Sequence, residues 1–280
     1  AKGTGKNCYS VYNRDMVEDT IKYVHLSTTI RKALENNLFE LYYQPVIDLR
    51  SGQISGIEAL VRLSESDNES IPPCDFIPFA EDTGLIFKID EWVIEYACRQ
   101  KSEWNQKGLG NIKLLINLSG KSLSRKNIVQ IISNSIRQNG LKFGEIEFEI
   151  TETSVIDNFE NTIEILKNMR VQGINVTLDD FGIGYSSLTY LQKLPIDIVK
   201  IDRRFLADIH SNDTHSHVFK AVVELAHELK LKVVAEGIET SEQMDIVKKY
   251  DCDYVQGFFF NKPAPAHEIE EMFKSDIKYF

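Results

Sequence analysis

Eight apolar runs of strand length, separated by amphipathic segments of helix length, set the architecture this chain can adopt. The runs fall at about 40–46, 55–62, 112–117, 145–150, 174–179, 197–201, 231–236 and 253–257. Between most of them lie segments with apolar residues at helical spacing: 88–106, 122–138, 158–170, 213–229 and 240–249. Such alternation predicts a parallel sheet with helices packed outside it. Eight runs in roughly 240 residues fit one closed (β/α)8 barrel of the TIM type better than two open sheets. Only Leu49-Arg50-Ser51-Gly52 joins the first two runs. That is too short for a crossover helix, so the first strand is expected antiparallel to the second. Ahead of the barrel, Val17, Ile21, Val24, Ile30, Ala33, Leu34 and Leu38 give 15–38 a helical period. Segment 64–72, SESDNESIP, reads as a polar surface loop.

The net charge of −10 is spread along the chain. It disfavours non-specific contact with DNA, RNA or anionic membrane, and a phosphate-bearing ligand would need metal ions to offset it. No apolar stretch has the length of a membrane span, and AKGTGKNCYS carries no apolar core of a signal peptide. Cys8, Cys74, Cys98 and Cys252 are far apart with no CxxC, as expected of reduced, mostly buried thiols in a cytoplasmic protein. His215 and His217 read as a solvated helix start rather than a metal site, since no nearby ligand completes a set.

Alternate side chains of a strand point to opposite faces. In 174–179, Asn175, Thr177 and Asp179 oppose Ile174, Val176 and Leu178; in 145–150, Glu145, Glu147 and Glu149 oppose Ile146, Phe148 and Ile150. The run at 112–117 ends at Asn117, the run at 197–201 has Lys200 near its end, and the last two finish at Glu236 and near Gln256. Glu58 and Arg62 share a face of the second run. The apolar faces suit packing against helices, which turns the polar faces into the barrel. Active sites of these barrels lie at the C-terminal rim. That rim offers Glu58, Asn117, Glu149, Asp179, Asp180 and Glu236 as oxygen ligands and no Cys or His, a donor set for Mg2+ or Mn2+ rather than Zn2+. So many neighbouring carboxylates cannot all stay ionised without cations. Two divalent ions would relieve the repulsion, with Asp179 able to bridge them and Asp180 to reach one. Gly182 and Gly184 let the backbone turn sharply beside them. Two such ions are an apparatus for in-line attack on a phosphodiester. Lys200 could orient the water, or could be only a structural ion pair with the acids; Arg62 could hold a phosphate.

These residues resemble the EAL-domain family of cyclic di-GMP phosphodiesterases. The naming motif stands as Glu58-Ala59-Leu60, followed by Val61-Arg62. YYQPV (42–46), FIPFAEDTGLI (76–86), INLS (116–119), EITET (149–153), DDFGIGYSS (179–187), LPIDIVKID (194–202), VAEGIET (234–240) and VQGFFFNKP (255–263) accompany it. The resemblance spans about residues 26–275 and implies hydrolysis of cyclic di-GMP to linear pGpG with Mg2+ or Mn2+. By motif position it implies Glu58, Asn117, Glu149, Asp179, Asp180 and Glu236 as metal ligands, with Lys200, Glu236 and Glu58 at the chemistry. It implies Gln44, Arg62 and Gln256 at the substrate, Glu152 bracing the DDFGIGYSS loop, and a homodimer. Leu63 stands where the family often has tryptophan, and Asn261 where serine is common. AKGTGKNCYSVY resembles the tail of a GGDEF domain, which divides the chain into a residual tail (1–14), a helical linker (15–38) and an EAL barrel (39–280). A longer protein with a GGDEF-like domain upstream is then expected, open to membrane anchoring through segments outside this chain. Two alternatives stay open: a receptor or regulated domain that binds cyclic di-GMP without cutting it, and a two-metal hydrolase for another small phosphodiester.

Overall fold

The structure is a computed structural model that describes residues 14–36, 38–66, 69–109, 112–182, 188–206, 213–275 and 278–279. The chain divides into two compact units, one of residues 1–40 and 62–85, the other of residues 41–61 and 86–280. Its strands are β1 (Phe39–Asp48), β2 (Ile54–Ser66), β3 (Glu69–Ile71), β4 (Lys113–Asn117), β5 (Ile146–Thr151), β6 (Asn175–Phe181), β7 (Ile198–Ile201), β8 (Lys232–Ala235) and β9 (Tyr254–Val255).

The smaller unit is built on the helix Arg14–Asn36, the helix Pro73–Thr83 and the hairpin of β3 with the end of β2. Ile30, Ala33, Leu63, Phe76 and Ala80 are fully buried. Burying each of the larger side chains stabilises by roughly 1.5–3 kcal/mol. Tyr23 meets Phe79 edge-on at 4.5 Å, and the Phe39 and Phe76 rings lie 6.0 Å apart. The expected loop at 64–72 is corrected: β2 continues through Ser66 and Leu63 pairs with Ile71. Its polar residues suit a short hairpin end as well as a loop, which polarity alone does not distinguish. Leu63, in place of the family's tryptophan, leaves no exposed apolar surface of its own.

The larger unit holds the expected barrel. The strand order β1-β9-β8-β7-β6-β5-β4-β2 is closed by pairing of β1 with β2. Neighbours from β2 through β4 to β9 are parallel, and β1 runs antiparallel to β9, as its tight turn requires. In that turn the Asp48 carboxylate accepts from the backbone N–H of Arg50 and Ser51, and Gly52 takes φ +69°. Helices Ile86–Gln106, Ile128–Gln138, Phe159–Val171, Asp213–Glu228, Ser241–Lys249 and Ala266–Lys274 follow the strands. The expected helix at 122–138 is broken: a short turn Gly120–Leu123, capped by Ser119, precedes Ile128–Gln138. Ser119 and Ser124 hydrogen-bond the local backbone there and compete with a continuous helix. Glu145 is likewise corrected: it lies in the 3-10 turn Phe143–Glu145, and its carboxylate caps the Lys142 N–H at 2.6 Å rather than facing the barrel interior.

Outward faces such as Ile146, Phe148, Ile150, Val176 and Leu178 are buried. Inside, Val46, Leu115 and Val234 form an apolar plug. The barrel is therefore a packed core, and its polar side chains are concentrated on particular levels of it. Cys98 and Cys252 are buried, while Cys74 is exposed, against the expectation of burial.

Candidate active site

Register places the polar strand ends together. Asn117 on β4 pairs with Glu149 on β5, Glu149 pairs with Thr177 on β6, and Lys200 on β7 pairs with Val234 on β8. Lys200 is 1 % exposed and stands among four carboxylates. Its Nζ lies 2.6 Å from Glu236 Oε1, 3.0 Å from Glu149 Oε1, 3.3 Å from Glu58 Oε2 and 3.7 Å from Asp179 Oδ1. Burial alone would drive the proton off this ammonium, but Asp179, Glu149, Glu236 and Glu58 hold its pKa well above the ordinary lysine value.

One cation does not balance four acids. Burial, with the charges of Glu58, Asp179 and Glu236 and against that of Lys200, raises the Glu149 pKa well above the carboxylate range. Among the described residues neither Glu149 oxygen receives a hydrogen bond; Lys200 faces Oε1 at ion-pair distance but outside hydrogen-bond geometry. Burial pushes Glu236 up to about 8 against the pull of Lys200, with Asp179 and Glu58 adding to the rise. Glu58 goes the other way. Burial would raise it, but Lys200 and hydrogen bonds from Gln256 and Asn117 hold it below the usual value. Asn117 Nδ2 donates to Glu58 Oε1 and Gln256 Nε2 to Glu58 Oε2, each at 2.7 Å. Gln256 Nε2 also reaches Gln44 Oε1 at 3.3 Å, and Gln44 Nε2 donates to the Asn261 carbonyl at 3.0 Å.

The Asp179–Asp180 doublet sits at a distortion of β6. The strand runs past the doublet to Phe181, with its register against β7 shifted between Leu178 and Phe181, so Asp180 is not yet in the turn. Asp180 takes φ +55°, a left-handed conformation that aspartate tolerates better than most residues, and its N–H donates to Asp179 Oδ1 at 2.8 Å. Burial raises the Asp179 pKa against the pull of Lys200. Burial, then the charges of Asp179 and Asp202, raise Asp180 to about 6. Gly182 follows with φ +94°, where a Cβ would run into the Phe205 ring. Its N–H donates to Glu152 Oε2 at 2.9 Å. Gly184 and the rest of 183–187 lie outside the described residues.

Asp179, Asp180 and Glu236 each present an oxygen, all three within 4.8 Å of one another. An all-oxygen donor set, with the pKa values of Glu149, Asp179, Asp180 and Glu236 raised and both buried Glu149 oxygens without a hydrogen bond among the described residues, fits hard divalent cations. Beside it opens a cavity of about 230 Å3, bordered by Gln44, Glu58, Glu236 and Gln256 on the inside and by Arg203 and Phe258 toward solvent. Asp202, Arg203, Glu239 and Phe258 in this wall were not singled out by the sequence reading; Asp202 and Glu239 fall within motifs, but nothing in their spacing marks them. Arg62 lies four residues beyond Glu58 on β2 and belongs to the smaller unit.

A family model described as EAL domain matches residues 27–263. Cyclic di-GMP phosphodiesterase PdeR of Escherichia coli (strain K12) is 36% identical over 278 residues, 99% of this chain and 42% of that protein. Cyclic di-GMP phosphodiesterase NbdA of Pseudomonas aeruginosa is 34% identical over 275 residues, 98% of this chain and 35% of that protein. The chain thus spans well under half the length of these curated relatives. Among solved structures, PaMucR phosphodiesterase in complex with c-di-GMP is 35% identical with a TM-score of 0.84, covering 88% of this chain and 99% of that one.

Proposed function

This chain belongs to the EAL domain family, and we propose that it is a metal-dependent phosphodiesterase that hydrolyses cyclic di-GMP to linear pGpG. The observation that carries the reading is the excess of buried carboxylate around Lys200, with both Glu149 oxygens left without a hydrogen bond among the described residues. A fold spends stability on such repulsion where cations are to be received. Glu58, Asn117, Glu149, Asp179, Asp180 and Glu236 would hold two Mg2+ or Mn2+ ions. When bound, these ions would acidify the attacking water and neutralise charge on the phosphoryl and leaving oxygens.

The remaining steps fall to the chain's own side chains. Lys200, kept protonated by its neighbours, acts as a charged donor that orients the attacking water and steadies the charge that develops. Gln256 fixes Glu58 through Nε2, and its buried Oε1 is left without a hydrogen bond among the described residues. Gln44, on the cavity wall, contacts the substrate. Water adds to one phosphorus, the P–O bond to the 3′-oxygen of the ribose breaks, and that oxygen leaves with a proton. Glu152 braces the DDFGIGYSS loop through Gly182. The reading includes a cytoplasmic homodimer and, on the resemblance of the AKGTGKN stretch alone, which lies outside the described residues, an upstream GGDEF-like domain. No helix among the described residues is long and apolar enough to cross a membrane.

A receptor that holds cyclic di-GMP uncut would be expected to have lost metal ligands or the lysine, and this chain retains all of them. The deciding experiment incubates the chain with cyclic di-GMP and Mg2+ or Mn2+ and follows products by chromatography. The expected product is pGpG. Its absence at micromolar chain rejects the reading, and tight binding without turnover points to the receptor.

A further inference from the structure

Asp179 and Asp180 sit on β6 and Glu236 directly follows β8, yet the three present oxygens within 4.8 Å of one another. Those strands are not neighbours, because β7 lies between them. The spacing of the trio therefore depends on how the turn after β7 is held on either side. Toward β6, the Phe205 ring of that turn fills the space where a Cβ on Gly182 would stand, two residues past Asp180. Toward β8, Glu236 N–H donates to the Ile201 carbonyl at 3.1 Å, and Arg203 packs on Gly237 so closely that a Cβ there would strike it.

A further tie comes from Gln243, in the first turn of the helix Ser241–Lys249. Its Oε1 accepts from the backbone N–H of Glu239 at 2.8 Å and of Thr240 at 3.2 Å, while Thr240 Oγ1 accepts from the Gln243 N–H at 3.3 Å. That is a capping box, and by itself it makes Gln243 an ordinary helix start. A capping box needs only an acceptor at this position, so glutamate would serve as well. The amide nitrogen does something a cap does not. It donates at 3.2 Å to the carbonyl of Leu206, a fully buried residue whose own N–H closes the turn onto the Arg203 carbonyl at 2.9 Å. One side chain thus holds the loop after β8 by its oxygen and the turn after β7 by its nitrogen. Both segments border the cavity beside the trio, the first through Glu239 and the second through Asp202 and Arg203.

We propose that Gln243 is a positioning residue for the candidate metal site. Its amide bond to Leu206 fixes the span between Glu236 and the Asp179–Asp180 doublet, and so the fit of the site to its cations. It acts through the two loops, not as a ligand. The proposal rests on the metal-dependent reading above and extends that site to a side chain seven residues beyond Glu236.

Calorimetry of Mn2+ binding to the full chain without substrate, joined to melting curves of the metal-free chain, tests it. Gln243→Glu keeps the acceptor of the capping box and loses the donor to Leu206. Its Mn2+ affinity falls about tenfold, the low end for groups that orient metal ligands. The Mn2+ concentration for half-maximal turnover of cyclic di-GMP rises by the same factor. Gln243→Met, which brings no charge, shows the same loss of affinity. Thr240→Ala does the reverse: it weakens the cap and leaves the Gln243 amide in place. Its melting temperature drops by about 2–4 °C, while its Mn2+ affinity stays within twofold of wild type. Wild-type affinity in either Gln243 variant overturns the proposal. So does an equal loss in Thr240→Ala, which would reduce Gln243 to a helix cap. Should Gln243→Met melt below the assay temperature, Gln243→Glu against Thr240→Ala decides by the same tenfold criterion. If the wild-type chain binds Mn2+ but leaves cyclic di-GMP uncut, the phosphodiesterase reading fails alone and the affinities still decide Gln243. If the wild-type chain binds no Mn2+, both fall.

Discussion

Glu147 and Glu149 stand two residues apart on the same face of β5, both buried, and the fold treats them in opposite ways. Glu147 is satisfied: Thr177 Oγ1 donates to one oxygen and Lys113 Nζ to the other, the latter at 2.9 Å. Among the described residues Glu149 receives no hydrogen bond on either oxygen, and it shares one ammonium with three other acids. The lower level of the barrel interior closes its own electrostatic balance with protein groups. The upper level leaves it open. Burial of a carboxylate is therefore not in itself a sign of function; burial without sufficient partners is.

Substitutions can break or sharpen that contrast. The largest effect is expected from Asp179→Asn. It removes one charge from the unbalanced level, so turnover of cyclic di-GMP falls about a thousandfold or more, while the metal-free melting temperature holds or rises as repulsion drops. Retained turnover would deny Asp179 a bridging role. Next comes Lys200→Met, which leaves the buried acids with no cation. Urea unfolding without metal should show a loss of about 3–5 kcal/mol, part of which Mn2+ restores. The matching change below, Lys113→Met, orphans one Glu147 oxygen and costs about 1–3 kcal/mol, with no recovery on adding Mn2+. An equal response of the two variants to Mn2+ would erase the distinction between the levels. Glu152→Ala releases the Gly182 N–H from its acceptor. Mn2+ affinity should weaken about 10- to 100-fold, as read by calorimetry, with the circular dichroism spectrum unchanged.

The contrast also sets the pH dependence of the metal-free chain. Glu236, raised to about 8, and Asp180, raised to about 6, bind protons more tightly when folded than when unfolded. The stability they contribute is fully present below their unfolded values near 4 and is lost as pH rises through 6 and 8. The metal-free melting temperature should thus decline between pH 5 and 8.5. Saturating Mn2+, which takes the deprotonated carboxylates, should flatten or reverse the decline. A metal-free curve that rises over this range would contradict the assigned shifts.

Much of this was legible in the sequence, because barrel strands alternate and alternation is a local signal. The runs ending at Asn117, Glu149, Asp179 and Lys200 became β4, β5, β6 and β7, and their polar faces do turn inward onto one level. Local signals also misled. Glu145 shares the parity of Glu147 and Glu149, but the strand begins one residue after it and parity carries no meaning in a 3-10 turn. The helix break at Ser124–Asn127 was hidden because serine hydroxyls can either accept an ordinary helix position or compete for its backbone. Phe258 and Arg203 were illegible for a different reason. In the sequence an aromatic after a strand looks like core, and one arginine of an adjacent pair looks like the other. Exposure of the ring, and the engagement of Arg204 but not Arg203 by Asp202, are tertiary facts.

The account rests on the upper level of the barrel being built to receive cations, and anomalous diffraction from a crystal soaked in Mn2+ tests that most directly. Two anomalous peaks within the ring of Glu58, Asn117, Glu149, Asp179, Asp180 and Glu236 are predicted. A soaked crystal with no peak there, and Lys200 still seated among the four carboxylates as their sole counter-charge, would contradict it.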